Sequence, residues 1–204
     1  MSQQKSSLQL AGEAGGILAP VIAFTCILVA IASYPAFSWT DNALSDLGII
    51  SGATGLIFNF GLYISGFLVF EFAVFGLFRY LGNSWIGKTG ALTLATTGAA
   101  LIGIGVFSEN AVPYHYLFSV AFFILLPIAL LAITGAFAFK HQTKMALFTL
   151  LTAVATAMPW ILYSIVNYVS GVAIPEFASS VAGSVWTVVL SCKMLKGMPQ
   201  PKTS

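Results

Sequence analysis

Apolar residues run along this chain in six long stretches broken by short polar segments: approximately Gly15–Phe37, Ala53–Leu77, Gly90–Phe107, Pro113–Phe139, Met145–Val169 and Ile174–Leu190. Each offers about the 20 residues a helix needs to cross a hydrocarbon core. Backbone amides in hydrocarbon must be paired within the protein, and an uninterrupted helix does this locally. The pattern therefore predicts six transmembrane helices. Connections such as Ser108–Val112, Lys140–Lys144 and Ser170–Ala173 leave consecutive helices room only to be antiparallel neighbours. The expected fold is all-α, a polytopic up-and-down bundle forming a single transmembrane domain over residues 1–204. No internal repeat or low-complexity segment interrupts it, and polar tails lie at Met1–Leu8 and Gly197–Ser204.

Small features refine the bundle. Pro20, Pro127 and Pro159 fall inside the first, fourth and fifth stretches, where a missing N–H predicts kinks. Pro113 and Pro175 fall instead at expected first turns. Ala91, Ala95, Ala99 and Gly103 form a small-residue ridge that predicts a central place for the third helix. Phe67, Phe70, Phe72, Phe75 and Phe78 go most of the way round the second, so some of them must face lipid.

Composition agrees with this pattern. A chain that is 58% hydrophobic and 7% charged, with mean hydropathy +0.95, cannot bury its apolar surface as a soluble domain. The segment Ala30-Ile31-Ala32 resembles a cleavage site, but the apolar stretch before it exceeds the usual signal-peptide length, so a retained first span is expected. Cys26 and Cys192 lie at different depths in different helices, which disfavours a disulfide and leaves the redox compartment open.

Charge sets the expected orientation. Lys5 precedes the first stretch, Arg79 and Lys88 flank the second connection, Lys140 and Lys144 form the fourth, and Lys193, Lys196 and Lys202 follow the sixth stretch. Connections one, three and five have no Lys or Arg. Cytoplasmic loops retain these residues, so both termini are expected in the cytosol and the protein in the cell membrane, multi-pass. The net charge of +2 is spread along that rim and gives no sign of nucleic-acid binding. Asp41, Asp46, Glu109 and Glu176 then face outward.

Polar chemistry gathers at that outer end. The longest connection, Ser38–Gly52, carries helix signals: Thr40 as a cap, Asp41 in the first turn, and Gly48 as a left-handed stop. On such a turn Asp41 and Ser45 share a face, as do Asn42 and Asp46, above an apolar underside of Ala43, Leu44 and Leu47. Asn59, Glu109, Asn110, His115, Ser119, Tyr163, Asn167, Glu176, Ser179 and Ser180 reach the same level from other helices. Such convergence is what a polar pocket requires. Solvation is the favoured account of Asp41, Glu109 and Glu176 near water, as is a solvated or carboxylate-paired imidazole for His115, while a helix contact accounts for Asn59 as well as a ligand role does.

Glu71 stands apart as an intramembrane acid about 12 Å from Arg79 along the helix. It is a functional candidate, or a neutral carboxyl packed against Thr93, Thr96, Thr97, Thr134, Thr187 and Ser191. Paired haem histidines, a His/Cys zinc set, a phosphate loop and a Gly-x-Ser-x-Gly elbow are all missing, so no cofactor and no metal is expected.

The run Tyr34-Pro35 to Trp39, then Asn42-Ala43-Leu44-Ser45-Asp46-Leu47-Gly48, Phe58-Asn59, Gly66 and His115, resembles the integral membrane family catalogued as domain of unknown function 998. More distantly, the Ser-Asp-x-Gly segment and outer histidine are similar to the Frag1/DRAM/Sfk1 six-span group, whose members are linked to lipid-anchor remodelling and membrane trafficking. The resemblance selects Ser45, Asp46, Asn59 and His115. Alkaline-ceramidase and progestin-receptor-type hydrolases also combine Ser, Asp and His, but they use three zinc-bound histidines and this chain has one on that side.

Three functions follow as expectations. The first is binding of a lipid headgroup or small polar solute in an outward pocket, with Asp41, Asn42, Asn59, Glu109, Asn167 and Glu176 as ligands and Asp46 and His115 as an ion-paired gate. The second is a membrane-embedded hydrolase or acyl transferase with Ser45 as nucleophile, His115 as base and Asp46 orienting it. The third is proton-coupled transport through Glu71. Membrane lipids are expected partners and nucleic acid is not. A homo-oligomer or a membrane-complex partner is left open.

Overall fold

The computed structural model describes residues 5–197; residues 1–4 and 198–204, including Lys202, lie outside the described residues. Six helices are long and apolar enough to cross a membrane: α1 Ser7–Ala32, α2 Ala53–Tyr80, α3 Trp85–Val106, α4 Tyr114–Phe139, α5 Thr143–Val166 and α6 Ala173–Leu195. Among the described residues there is no strand. Capping chemistry moves several ends away from the edges of the apolar stretches. Ser6 accepts from Gln9 N at 3.2 Å and starts α1 eight residues before Gly15. Ser84 accepts from Gly87 N at 3.1 Å and starts α3 five residues before Gly90. Helix α1 stops at Ala32, because Pro35 disfavours helical geometry in Tyr34 before it; the expected helical turn Ser33–Phe37 is not formed. Helix α5 ends at Val166, where Asn167 adopts the left-handed conformation (φ 46°).

Each helix packs against the next, and α6 returns to α1, so the six close into a ring. Helix α3, lying between α2 and α4, is the most buried of them. Its ridge differs in detail from the expected one: Ala91, Ala95 and Gly103 are buried, but Ala99 faces outward, and Gly90 and Gly98 take part instead. Phe67 and Phe70 are exposed whereas Phe72 is fully buried. Pro20, Pro127 and Pro159 lie within α1, α4 and α5.

Two contacts lock the ring. Trp186 on α6 is fully buried, donates from Nε1 to Thr149 Oγ1 at 3.0 Å, and meets Phe72 edge to face at 6.3 Å. Near its end α2 widens into a π-helical turn, Phe72–Leu77. Against that turn α1 presents Gly12, where a Cβ would stand 2.8 Å from Gly76 N and 2.9 Å from Glu71 O. The two backbones approach closely there, with Phe75 Cβ 2.9 Å from the same point. Because the spans alternate, Lys5, Arg79, Lys88, Lys140, Lys144, Lys193 and Lys196 share one end, hereafter the basic end. Lys140 Nζ donates to Leu81 O at 2.5 Å there. The opposite, acidic end carries Asp41, Asp46, Glu109 and Glu176.

Candidate functional site

The loop joining α1 to α2 is structured, though not as its caps suggested. A 3-10 helix spans Leu44–Ile49, starting three residues after Asp41, and the left-handed glycine is Gly52 (φ 87°) rather than Gly48. Asp41 is drawn out of the helix by hydroxyls. It accepts from Ser38 Oγ at 2.5 Å, Thr40 Oγ1 at 2.8 Å and Ser170 Oγ at 2.6 Å, and these donors hold its carboxyl down at about 2. Asp46 takes the capping role: Oδ2 accepts from Ala43 N at 2.9 Å and Asn42 Nδ2 at 2.7 Å. Asn42 and Asp46 thus pair as the spacing predicted, while Asp41 and Ser45 part. Leu44 and Leu47 form the buried underside.

The loop is strapped across the acidic end. Gly171 N and Ala173 N donate to Thr40 O and Asn42 O at 2.6 and 2.9 Å. Asn59 Nδ2 donates to Gly48 O at 2.8 Å, so Asn59 holds the loop rather than a neighbouring helix. Glu176 Oε2 accepts from Leu44 N at 2.7 Å and supplies the first turn of the 3-10 helix with a side-chain acceptor. Under that cover Glu176 is buried, 8% exposed, and the expectation that solvation accounts for it is corrected.

Glu109, in the loop after α3, is half-buried, and its Oε2 has no hydrogen-bond partner. Burial chiefly, with the Asp46 carboxylate beside it, raises its carboxyl to about 7, while the Ser45 hydroxyl works the other way. Ser45 is itself 7% exposed. His115 is also buried, neither solvated nor paired with a carboxylate: Nδ1 donates to Phe107 O at 2.7 Å. Among the described residues neither Ser45 nor Asp46 hydrogen-bonds His115. Asn167 is exposed and away from this group, serving as the cap of α5.

Beneath the 3-10 helix lies a void of about 50 Å³ bordered by Ser45, Glu176, Ser119, Ser180 and Phe58. A deeper void of about 80 Å³ lies inside the ring and shares Ile27, Leu62, Leu101, Phe122 and Ser180 with it. Among the described residues no three His, Cys, Asp or Glu side chains are grouped to hold a metal ion.

Glu71 sits half-buried where the π-helical turn begins. The hydroxyls expected around it bond elsewhere: Thr93, Thr96, Thr97, Thr134 and Thr187 donate to carbonyls of their own helices, and Ser191 to Glu13 O. The fully buried acid is instead Glu13, 1% exposed, which accepts from Lys5 Nζ at 2.6 Å and Gln9 Nε2 at 3.0 Å. Lys5 also donates to Met194 O, tying the start of α1 to the end of α6. Sequence reading passed over Glu13 because the apolar stretch was begun at Gly15; Gln9 one turn earlier was the available signal.

Six long apolar helices joined by tight connections make this a multi-pass membrane protein. The family described as protein of unknown function (DUF998) matches residues 17–193, and the chain belongs to that family. The more distant Frag1/DRAM/Sfk1 likeness finds no support beside it. No curated protein and no solved structure matches the chain.

Proposed function

We propose that this protein binds, at its acidic end, a lipid headgroup or small polar solute that donates hydrogen bonds and carries no negative charge. The observation that carries the reading is Glu176, a buried carboxyl bordering a void together with Ser45. With Oε2 held by Leu44 N, the carboxyl has a second oxygen to offer a ligand in that space. Asp46 and Glu109 stand beside Ser45, and the described basic residues lie at the far end, so an anionic ligand would meet only like charge. The distribution of Lys and Arg supports an acidic end turned away from the cytosol in this reading, with the loop as a fixed cover rather than a free arm.

The geometry favours binding over hydrolysis or acyl transfer. A Ser45–His115–Asp46 relay needs Asp46 to orient the imidazole, yet Asp46 is bonded to Asn42 and Ala43, and His115 Nδ1 to Phe107 O. The test is native mass spectrometry of small molecules that co-purify with wild type, Glu176→Gln and Asp46→Asn. Glutamine keeps an acceptor for Leu44 N, so Glu176→Gln is expected to fold and to retain its occupant about tenfold more weakly. Identical occupancy in all three proteins would sink the reading.

A further inference from the structure

Outside the ring, the acidic end carries another open space of different chemistry. Thr40, Tyr163, Asn167, Tyr168, Val169 and Ser170 line a recess of about 560 Å³, and none of them borders either void inside the ring. Local structure builds its walls. The left-handed turn at Asn167 ends α5 and reverses the chain, so the Tyr168 ring folds back beside the helix and its hydroxyl donates to Pro159 O at 3.3 Å. Tyr168 then stands edge to face with Tyr163, the ring planes at 89° and the centroids 6.2 Å apart. The two rings make a corner, and both border the recess.

Asp41 supplies charge at the rim. Two lining residues, Thr40 and Ser170, donate their hydroxyls to its carboxylate, and Ser38 donates a third. Asp41 is exposed, and these donors keep it ionised. No described Lys or Arg lies at this end to neutralise it. A carboxylate offers about four lone-pair sites. Three are taken by hydroxyls, so what Asp41 keeps for a ligand is charge rather than room for donors. That favours a cation with no N–H to place. A quaternary ammonium is such a cation, drawn to a carboxylate by charge and to aromatic faces by their quadrupoles. The level in the membrane also suits it: Ile165 and Val166 are exposed immediately before Asn167, and tyrosines gather at headgroup depth.

We infer that the Tyr163–Tyr168 corner and Asp41 form a site for a quaternary ammonium group, carried by a choline-type lipid headgroup or by a free choline-type solute. The site goes beyond the Glu176 reading and does not depend on it.

The experiment uses the full-length protein in choline-free phosphatidylglycerol nanodiscs, with choline, tetramethylammonium and ammonium as probes at constant ionic strength and empty nanodiscs as the blank. Equilibrium dialysis is expected to show choline and tetramethylammonium bound about tenfold or more tighter than ammonium. Tyr163→Leu is expected to weaken choline binding about fivefold, whereas Tyr163→Phe keeps the ring face and stays within about twofold of wild type. Asp41→Asn removes the charge and is expected to weaken it about tenfold. Adding phosphatidylcholine to the nanodiscs separates the sources: suppression of choline binding supports the lipid headgroup, and unchanged binding supports the free solute. Equal affinity for ammonium and tetramethylammonium overturns the inference. So does unchanged choline binding in Tyr163→Leu, even if Asp41→Asn fails to fold. Glu176→Gln is expected to bind choline as wild type does, and loss of binding there would move the cation to the void beneath the 3-10 helix and overturn the assignment.

Discussion

Glu109 keeps a proton to about pH 7 because it is half-buried beside Asp46, and an unfolded chain would release that proton near 4.5. Between those values the folded state binds more protons than the unfolded one. Its contribution is full below about 4.5 and is lost as pH rises through about 7. Melting temperatures across that window are expected to fall with rising pH in wild type and to run flatter in Glu109→Gln. The difference is about 1 kcal/mol once solvent screening at this part-exposed site is allowed for. Asp46→Ala removes the acceptor for Ala43 N and Asn42 and is expected to cost about 1–2 kcal/mol, read as faster proteolysis within Ser38–Gly52. The convergence of Ser45, Asp46, Glu109 and Glu176 was legible, since helices of alternating direction bring those positions to one level. The burial of Glu176 was not, because it depends on a loop folding back across the bundle. His115 escaped for a similar reason: the carbonyl it bonds belongs to the turn after α3, whose path no spacing rule fixes.

At the scale of elements the apolar pattern located all six helices and misjudged their ends. Hydropathy marks where side chains tolerate lipid, whereas a helix runs on until a cap or a proline stops it, and Ser6, Ser84 and Asn167 set those limits here. The π-helical turn Phe72–Leu77 leaves no mark on the pattern, because apolar residues fit an α-turn and a π-turn alike. Its place in the fold becomes clear from Gly12, which lies against Gly76 N and Glu71 O. Gly12→Val would drive a branched side chain into backbone that cannot swing aside, and is expected to destabilise by about 1–3 kcal/mol in a thermal melt. Trp186→Phe keeps the packing against Phe72 but leaves buried Thr149 Oγ1 without its donor. A loss of about 1–2 kcal/mol is expected.

For the molecule as a whole the decisive quantity is orientation, since a site at the acidic end meets different molecules on the two sides of a membrane. Every described Lys and Arg lies at one end, and the retention of such residues on the cytoplasmic side is the ground for proposing that the opposite end faces outward. The ring makes this testable at two points: Ile49 is 46% exposed beside the strapped loop, and Thr143 is exposed where α5 begins. With Cys26 and Cys192 replaced, Ile49→Cys is expected to react with a membrane-impermeant maleimide on intact cells, and Thr143→Cys only after permeabilisation. The reverse pattern would turn the Glu176 site toward the cytosol, where the proposed ligand would have to be cytosolic. Labelling of both from outside would mean an even number of crossings between them, whereas α2, α3 and α4 make three.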